Sequence, residues 1–200
     1  MPLLRAIRRF LDLDSHDPRA VALYAAVVDR ARTPSFYTAL KVADTVDGRF
    51  DMIVLHLFLI LNRFPKEDRK NPVLRALLEE HFTDMDNSLR EIGVGDLSVP
   101  KKIHRMIDAL YGRFETYEKA LSGPTPVEDI AGALARNVYR GSAVDDPALA
   151  AALEGLTRYV LEARAALAAQ DEAAILGGKV AFPEPESAPE RGTETGNDDD

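Results

Sequence analysis

Apolar residues recur at three- and four-residue spacing along most of the chain, a period that predicts helices throughout. Leu74, Leu77, Leu78, Phe82, Met85, Leu89 and Ile92 form one such stripe, with His81 inside it. Ile103, Met106, Ile107, Leu110, Phe114, Tyr117 and Leu121 form a second. Between them lies Gly93-Val94-Gly95-Asp96-Leu97-Ser98-Val99-Pro100-Lys101-Lys102, which reads as a hinge. Gly93 and Gly95 stop the first helix, because glycine reaches positive φ without steric cost. Ser98 is expected as the N-cap of the second, with Pro100 in its first turn, where a missing N–H does no harm. Gly112 interrupts this second helix at about 1 kcal/mol relative to alanine, and close approach of another helix is its expected use.

The remaining pattern supplies a scaffold. Asp17-Pro18 opens a helix to Arg32, and Thr33-Pro34 ends it and starts a short piece through Ala43. Tyr24, Phe36 and Tyr37 are read as packing residues. Asp47 is expected to cap the next helix, where Met52 to Leu61 is apolar on every side except at His56. Ten such residues are too few for a bilayer, which needs about 20, so the run predicts a buried central helix, ending by Phe64 before Pro65. His56 is read as a hydrogen-bonded core residue. Thr125-Pro126 starts a helix to Arg140, and Asp146-Pro147 starts one to about Gln170. In that last helix Leu149, Leu153, Leu156, Val160, Ala163 and Leu167 are spaced like a coiled-coil seam, but three to four heptads are wanted for one, and packing within its own bundle is favoured.

Charge changes this picture at three places. The hinge is bordered by Asp84, Asp86, Arg90 and Glu91 on one side and by Lys101, Lys102, His104 and Arg105 on the other. Cations at a helix start oppose its macrodipole by a few tenths of a kcal/mol to about 1 kcal/mol each, so a binding partner explains them better than helix stability does. Residues 183–200 hold seven carboxylates against one arginine, which accounts for −6 of the net charge of −8. With little apolar content and many proline, glycine and acidic residues, this tail is expected to be disordered. Residues 1–13 place Leu3, Leu4, Ile7 and Leu11 on one face and Arg5, Arg8 and Arg9 off it. That segment suits either docking on its own domain or an anionic membrane surface.

The Phe82 to Arg90 stretch with its Asp84-Met85-Asp86 core, then Leu89-Arg90-Glu91, Gly93 to Lys102 and Tyr111-Gly112-Arg113, resembles the ubiquinol-cytochrome c chaperone family. Asp47-Gly48-Arg49-Phe50-Asp51 followed by Leu55-His56-Leu57-Phe58 resembles an upstream block of the same family. The resemblance spans roughly residues 35–121. Members assist assembly of the cytochrome bc1 complex, so the resemblance implies an assembly chaperone that binds newly made cytochrome b. A ribosome and a second assembly factor are further partners implied in the same way. The expected partner surface comprises Asp84, Asp86, Arg90, Glu91, Gly93, Gly95, Asp96, Lys101, Lys102, Arg105 and Arg113, rimming an apolar groove beside the central helices.

Catalytic patterns are missing from the sequence. It has no cysteine, which removes disulfides, thiolate metal sites and cysteine nucleophiles. There is no GxSxG elbow and no P-loop, and Gly93-x-Gly95 meets Ser98 where a dinucleotide fingerprint needs a third glycine. None of His16, His56, His81 or His104 has a glutamate three positions before it, against a di-iron bundle. His81 beside Glu79, Glu80 and Asp84 scatters its neighbours around the helix, so no metal and no cofactor are expected. Lys101, Lys102, Arg105 and Arg113 are basic, but a body near neutral with an acidic tail lacks the footprint of a DNA-binding protein.

The expectation is therefore an all-α, single-domain helical bundle over residues 14–176, with an amphipathic helix at 1–13 and a disordered acidic tail at 177–200. It is expected to act without catalysis, in a bacterial cytoplasm and peripherally at the inner membrane. The alternative function is a membrane-surface adaptor or lipid-binding domain using Arg5, Arg8 and Arg9.

Overall fold

In the computed structural model, which describes residues 17–96, 98–141 and 146–185, the helix Val46–Asn62 (α3) is the centre of the domain. Every residue from Phe50 to Leu61 is buried. The other helices surround it: α1 (Pro18–Ala31), α2 (Pro34–Thr38), α4 (Pro72–Glu91), α5 (Val99–Ser122), α6 (Pro126–Asn137), α7 (Pro147–Ala168) and α8 (Glu172–Leu176). A 3₁₀ turn at Asp68–Lys70 precedes α4, and no strand occurs among the described residues. The chain is all-α, as the spacing predicts.

Helix α3 is apolar all round because it is enclosed on several sides, by α1, α5 and α7. Each fully buried leucine, isoleucine or phenylalanine contributes roughly 1.5–3 kcal/mol of hydrophobic stabilisation, so this helix dominates the core. Its start is tightly built. Thr45, rather than Asp47, is the N-cap, its hydroxyl accepting from the Gly48 amide at 3.1 Å. A Cβ at Gly48 would lie 2.0 Å from the Ala43 carbonyl oxygen, so the chain entering α3 passes where a side chain would stand.

Other caps match the sequence reading. Asp17 accepts from the Arg19 amide at 2.9 Å, and Asp146 accepts from Ala148 and Leu149. Ser98 makes no side-chain cap bond, and α5 begins at Val99. Helix α2 stops at Thr38, short of Ala43, and the chain turns through Lys41 at φ 53°. Helix α6 stops at Asn137 rather than Arg140, which has φ 55°. Helix α7 packs on α3 and α6 within its own bundle.

Two expectations give way. A Cβ at Gly112 would meet nothing within 4 Å, so no helix approaches there; its helix cost has no packing return. Residues 178–185, expected with the tail, are packed against the domain. The Gln170 side chain brackets Ala181 with bonds of 2.7 and 2.9 Å, the Phe182 ring meets His56 edge-on at 5.1 Å, and Arg30 pairs with Glu184 at 2.7 Å. The apolar Val180 and Phe182 explain this, since they return the chain to the core before the acidic sequence takes over.

Candidate functional site

The hairpin of α4 and α5 carries the hinge, and its tip is covered less than its base. Along α4 the stripe is buried as far as Met85 except at the half-buried Leu78; Leu89 is half-buried and Ile92 is 66% exposed. Returning along α5, Val99 is buried, Ile103, Met106 and Ile107 are half-buried, and full burial resumes at Leu110. Tyr111, on the following turn, is 49% exposed. Leu89, the C-cap Ile92 and the core-edge residues Ile103, Met106 and Ile107 thus form a partly open apolar strip.

The turn itself is fixed by backbone and charge. Gly93 adopts φ 82°, and the Gly93 and Val94 amides return to the Arg90 and Leu89 carbonyls at 3.0 Å, a C-terminal capping pattern that needs a residue at positive φ. Arg90 bridges helix and loop, its guanidinium 2.5 Å from both Asp86 and Asp96. Exposed pairs of this kind are worth about 0–1 kcal/mol, so they orient the turn more than they stabilise the fold. Glu91, Gly95, Lys101, Lys102 and Arg105 are exposed, and among the described residues no carboxylate pairs with Lys101, Lys102 or Arg105. Leu97 lies outside the described residues.

Two members of the expected surface are turned inward. Asp84 accepts a hydrogen bond from the Tyr24 hydroxyl at 2.7 Å and so locks α4 to α1. Arg113 reaches Asp51, which is fully buried in α3, at 2.7 Å; Arg140 holds the other carboxylate oxygen at 2.6 Å. Burial pushes the Asp51 carboxyl above its usual range, while the two guanidiniums pull it back down. Arg113 also sits 5.5 Å from the Phe50 ring centre and donates to the Ala109 carbonyl at 3.2 Å. These contacts join the start of α3, the middle of α5 and the chain after α6. They also join the sequence blocks at 47–51 and 111–113, whose spacing in the chain gives no sign that they meet. The signal for Asp51 was its place in α3 directly before the run buried on all sides, where a carboxylate requires partners.

The buried histidines are structural. His56 donates from Nδ1 to the Met52 carbonyl and accepts from the Tyr159 hydroxyl at Nε2, both at 2.7 Å. His81 stacks on Phe50 and lies 3.3 Å by Nδ1 from the Tyr24 hydroxyl oxygen. The proton of that hydroxyl goes to Asp84, so His81 Nδ1–H is the donor and Nε2 has no partner among the described residues. Burial holds His56 neutral, its pKa pushed down to about 4, and takes His81 down to about 3. Among the described residues no group of three or more His, Asp or Glu side chains is placed to hold a metal ion. None of the described helices is long and apolar enough to cross a membrane. Arg5, Arg8 and Arg9 lie outside the described residues.

The described residues thus form a helical domain with a charged, incompletely covered hairpin and two buried histidines, His56 and His81. Relatives of the chain define its class. The ubiquinol-cytochrome C chaperone family matches residues 38–182, and the chain belongs to that family, whose members are assembly chaperones of ubiquinol-cytochrome c reductase. It is 24% identical over 142 residues to ubiquinol-cytochrome-c reductase complex assembly factor 1 of Xenopus laevis, a match covering 70% of this chain and 68% of that protein. The crystal structure of the Cbp3 homolog from Brucella abortus superposes with a TM-score of 0.74 at 30% identity, covering 94% of this chain and 99% of the other.

Proposed function

We propose that this protein binds newly synthesised cytochrome b during assembly of ubiquinol-cytochrome c reductase, and that the tip of the α4–α5 hairpin is the surface that receives it. Family membership supports the assembly role. The observation that carries the surface is the partly covered apolar strip of Leu89, Ile92, Ile103, Met106 and Ile107 at the hairpin tip, flanked by Lys101, Lys102 and Arg105, which no carboxylate pairs among the described residues. An apolar transmembrane client needs its side chains covered until its own partners are in place, and a strip with a charged border covers them in a fixed orientation.

Glu91, Asp86, Arg90 and Asp96 complete the border, with Gly93 and Gly95 shaping the turn. Asp84 and Arg113 support it from inside. The protein works without catalysis, peripherally at the inner membrane of a bacterium. The ribosome and a second assembly factor are further partners in this reading.

Mild-detergent recovery of the chain from its host, followed by mass-spectrometric quantification of cytochrome b, tests the reading. Lys101→Glu/Lys102→Glu should lower cytochrome b recovery at least tenfold while the thermal midpoint stays unchanged. Normal recovery with that folded variant would remove the basic border from the mechanism. Absence of cytochrome b from the unaltered chain's complexes would remove the client itself.

A further inference from the structure

A second open apolar surface lies between α6 and α7, and no residue of the hairpin strip lines it. It is a groove of about 440 Å³ floored by Val127 and Ala131 of α6 and by Leu153 and Leu161 of α7. Val127 is 51% exposed there, as Ile92 is 66% exposed on the hairpin. Leu153, Thr157 and Leu161 are four apart, so they form one row about 12 Å long on α7, and Glu154, Arg158 and Glu162 form a charged row beside it. Glu128 stands on the α6 side, which gives the border an excess of acid. The Thr157 hydroxyl belongs to a residue only 5% exposed and has no hydrogen-bond partner among the described residues. An occupant that fits must therefore bring apolar side chains, a polar group for this hydroxyl and an excess of positive charge.

The hairpin tip has that chemistry. Its strip is apolar, and Lys101, Lys102 and Arg105 stand beside it with no carboxylate partner among the described residues. Lys102 and Met106 are four apart on α5, so a surface that covers Met106 also meets the Lys102 ammonium. The tip cannot reach the groove of its own chain. The 24 residues of α5 hold it about 36 Å from the start of α6, where Val127 lies.

Between two copies these surfaces can pair in three ways. Groove on groove sets Glu128, Glu154 and Glu162 against the same acids. Hairpin on hairpin sets the cations against each other with little beyond Glu91 to offset them, since Arg90 already holds Asp86 and Asp96. Only hairpin in groove brings opposite charges together over apolar floors.

We infer that the hairpin tip of one copy docks in the α6–α7 groove of a second copy, with Lys101, Lys102 and Arg105 facing Glu128, Glu154 and Glu162. Reciprocal contacts close the pair into a two-fold dimer. The surfaces are small, so the association lies in the micromolar range and weakens as salt screens the borders. Pairing keeps both apolar surfaces out of water in the free protein, and a client entering the hairpin displaces the second copy; that last step alone rests on the function proposed above.

Sedimentation velocity of the purified full chain at low salt, without cytochrome b, tests the pairing. The weight-average mass should rise toward that of two chains between about 1 and about 100 μM. Lys101→Glu/Lys102→Glu and Glu154→Lys/Glu162→Lys should each keep the mass of one chain throughout with unchanged thermal midpoints, because all four side chains are exposed. Mixed in equal amounts, the two variants should associate again, since the hairpin of each then carries the charge opposite to the groove of the other. A native chain that stays single, or a mixture that stays single, would overturn the inference. Glu154→Lys/Glu162→Lys associating as strongly as the native chain would overturn it too and assign the dimer to the hairpin alone. Cytochrome b recovery separates this inference from the client reading: a single native chain that recovers cytochrome b removes the pairing and keeps the client surface, and a dimer that recovers none removes the client and keeps the pairing.

Discussion

Acid should destabilise this protein in a pH range where carboxylates are still ionised, because two histidines are buried neutral. In the unfolded chain each titrates near 6.5; in the fold His56 is held down to about 4 and His81 to about 3. As pH falls below 6.5 the unfolded state takes up both protons and the native state takes up neither. Stability is therefore complete above pH 6.5 and is lost progressively down to about pH 4 for His56 and about pH 3 for His81. At 1.36 kcal/mol per pH unit and per histidine, the loss at pH 5 is about 2 kcal/mol each and about 4 kcal/mol together. That is a large part of the 5–15 kcal/mol typical of a folded domain. Urea unfolding at constant ionic strength between pH 7.5 and 5 should show a slope of about 2 kcal/mol per pH unit between pH 6 and 5. His81→Phe should halve that slope, since phenylalanine fits beside Phe50 and Phe82 and, among the described residues, only the 3.3 Å bond from His81 Nδ1 to the Tyr24 hydroxyl is lost. The slope isolates titration from any packing change in the variant, which shifts stability equally at every pH. A slope below about 0.5 kcal/mol per pH unit, or an undiminished slope in His81→Phe, would refute the neutral buried histidines.

Other substitutions test separate parts of the fold. Gly112→Ala should stabilise the protein by about 0.5–1 kcal/mol in chemical denaturation, because an exposed glycine in mid-helix has no neighbour within 4 Å of the added methyl. Gly48→Ala should cost about 2–3 kcal/mol, since its methyl would collide with the Ala43 carbonyl and disturb the Thr45 cap. Arg113→Met should cost about 3 kcal/mol by thermal or urea unfolding, leaving half of the Asp51 carboxylate unpaired in the core. Tyr159→Phe should cost about 1–3 kcal/mol, because it leaves His56 Nε2 as a buried acceptor without a donor.

The helices were legible because their apolar spacing is regular and their starts carry capping chemistry. The run from Met52 to Leu61 identified the central helix by composition alone, and Asp17 and Asp146 marked helix starts by residue type. Helix ends were less legible. Lys41 and Arg140 take positive φ without being glycine, which residue type does not signal, and Arg140 is held there by its pairing with the distant Asp51. Long-range polar pairing was the least accessible. Arg113 lies among exposed cations in sequence, but the fold aims it at Asp51, sixty-two positions earlier. Asp84 likewise sits in an acidic cluster and is drawn inward by Tyr24. Chain polarity locates the charged border of a hairpin; which of its charges remain outside depends on helix rotation against α1 and α3. Phe182 shows the same limit at the domain boundary, where it and Val180 bring the chain before the acidic sequence back to the core, the Phe182 ring against His56.

The most direct test of the central claim is site-specific photo-crosslinking in the native host during synthesis of cytochrome b. A photoreactive residue at Ile92, at the open tip of the hairpin, should crosslink to newly made cytochrome b, and one at Val46, equally exposed at the start of α3, should not. The crosslink should disappear when Lys101→Glu/Lys102→Glu is added. Cytochrome b captured equally from both positions, or from Val46 alone, would contradict the hairpin as the client surface. A folded chain that crosslinks cytochrome b from neither position would contradict the claim that this surface receives it.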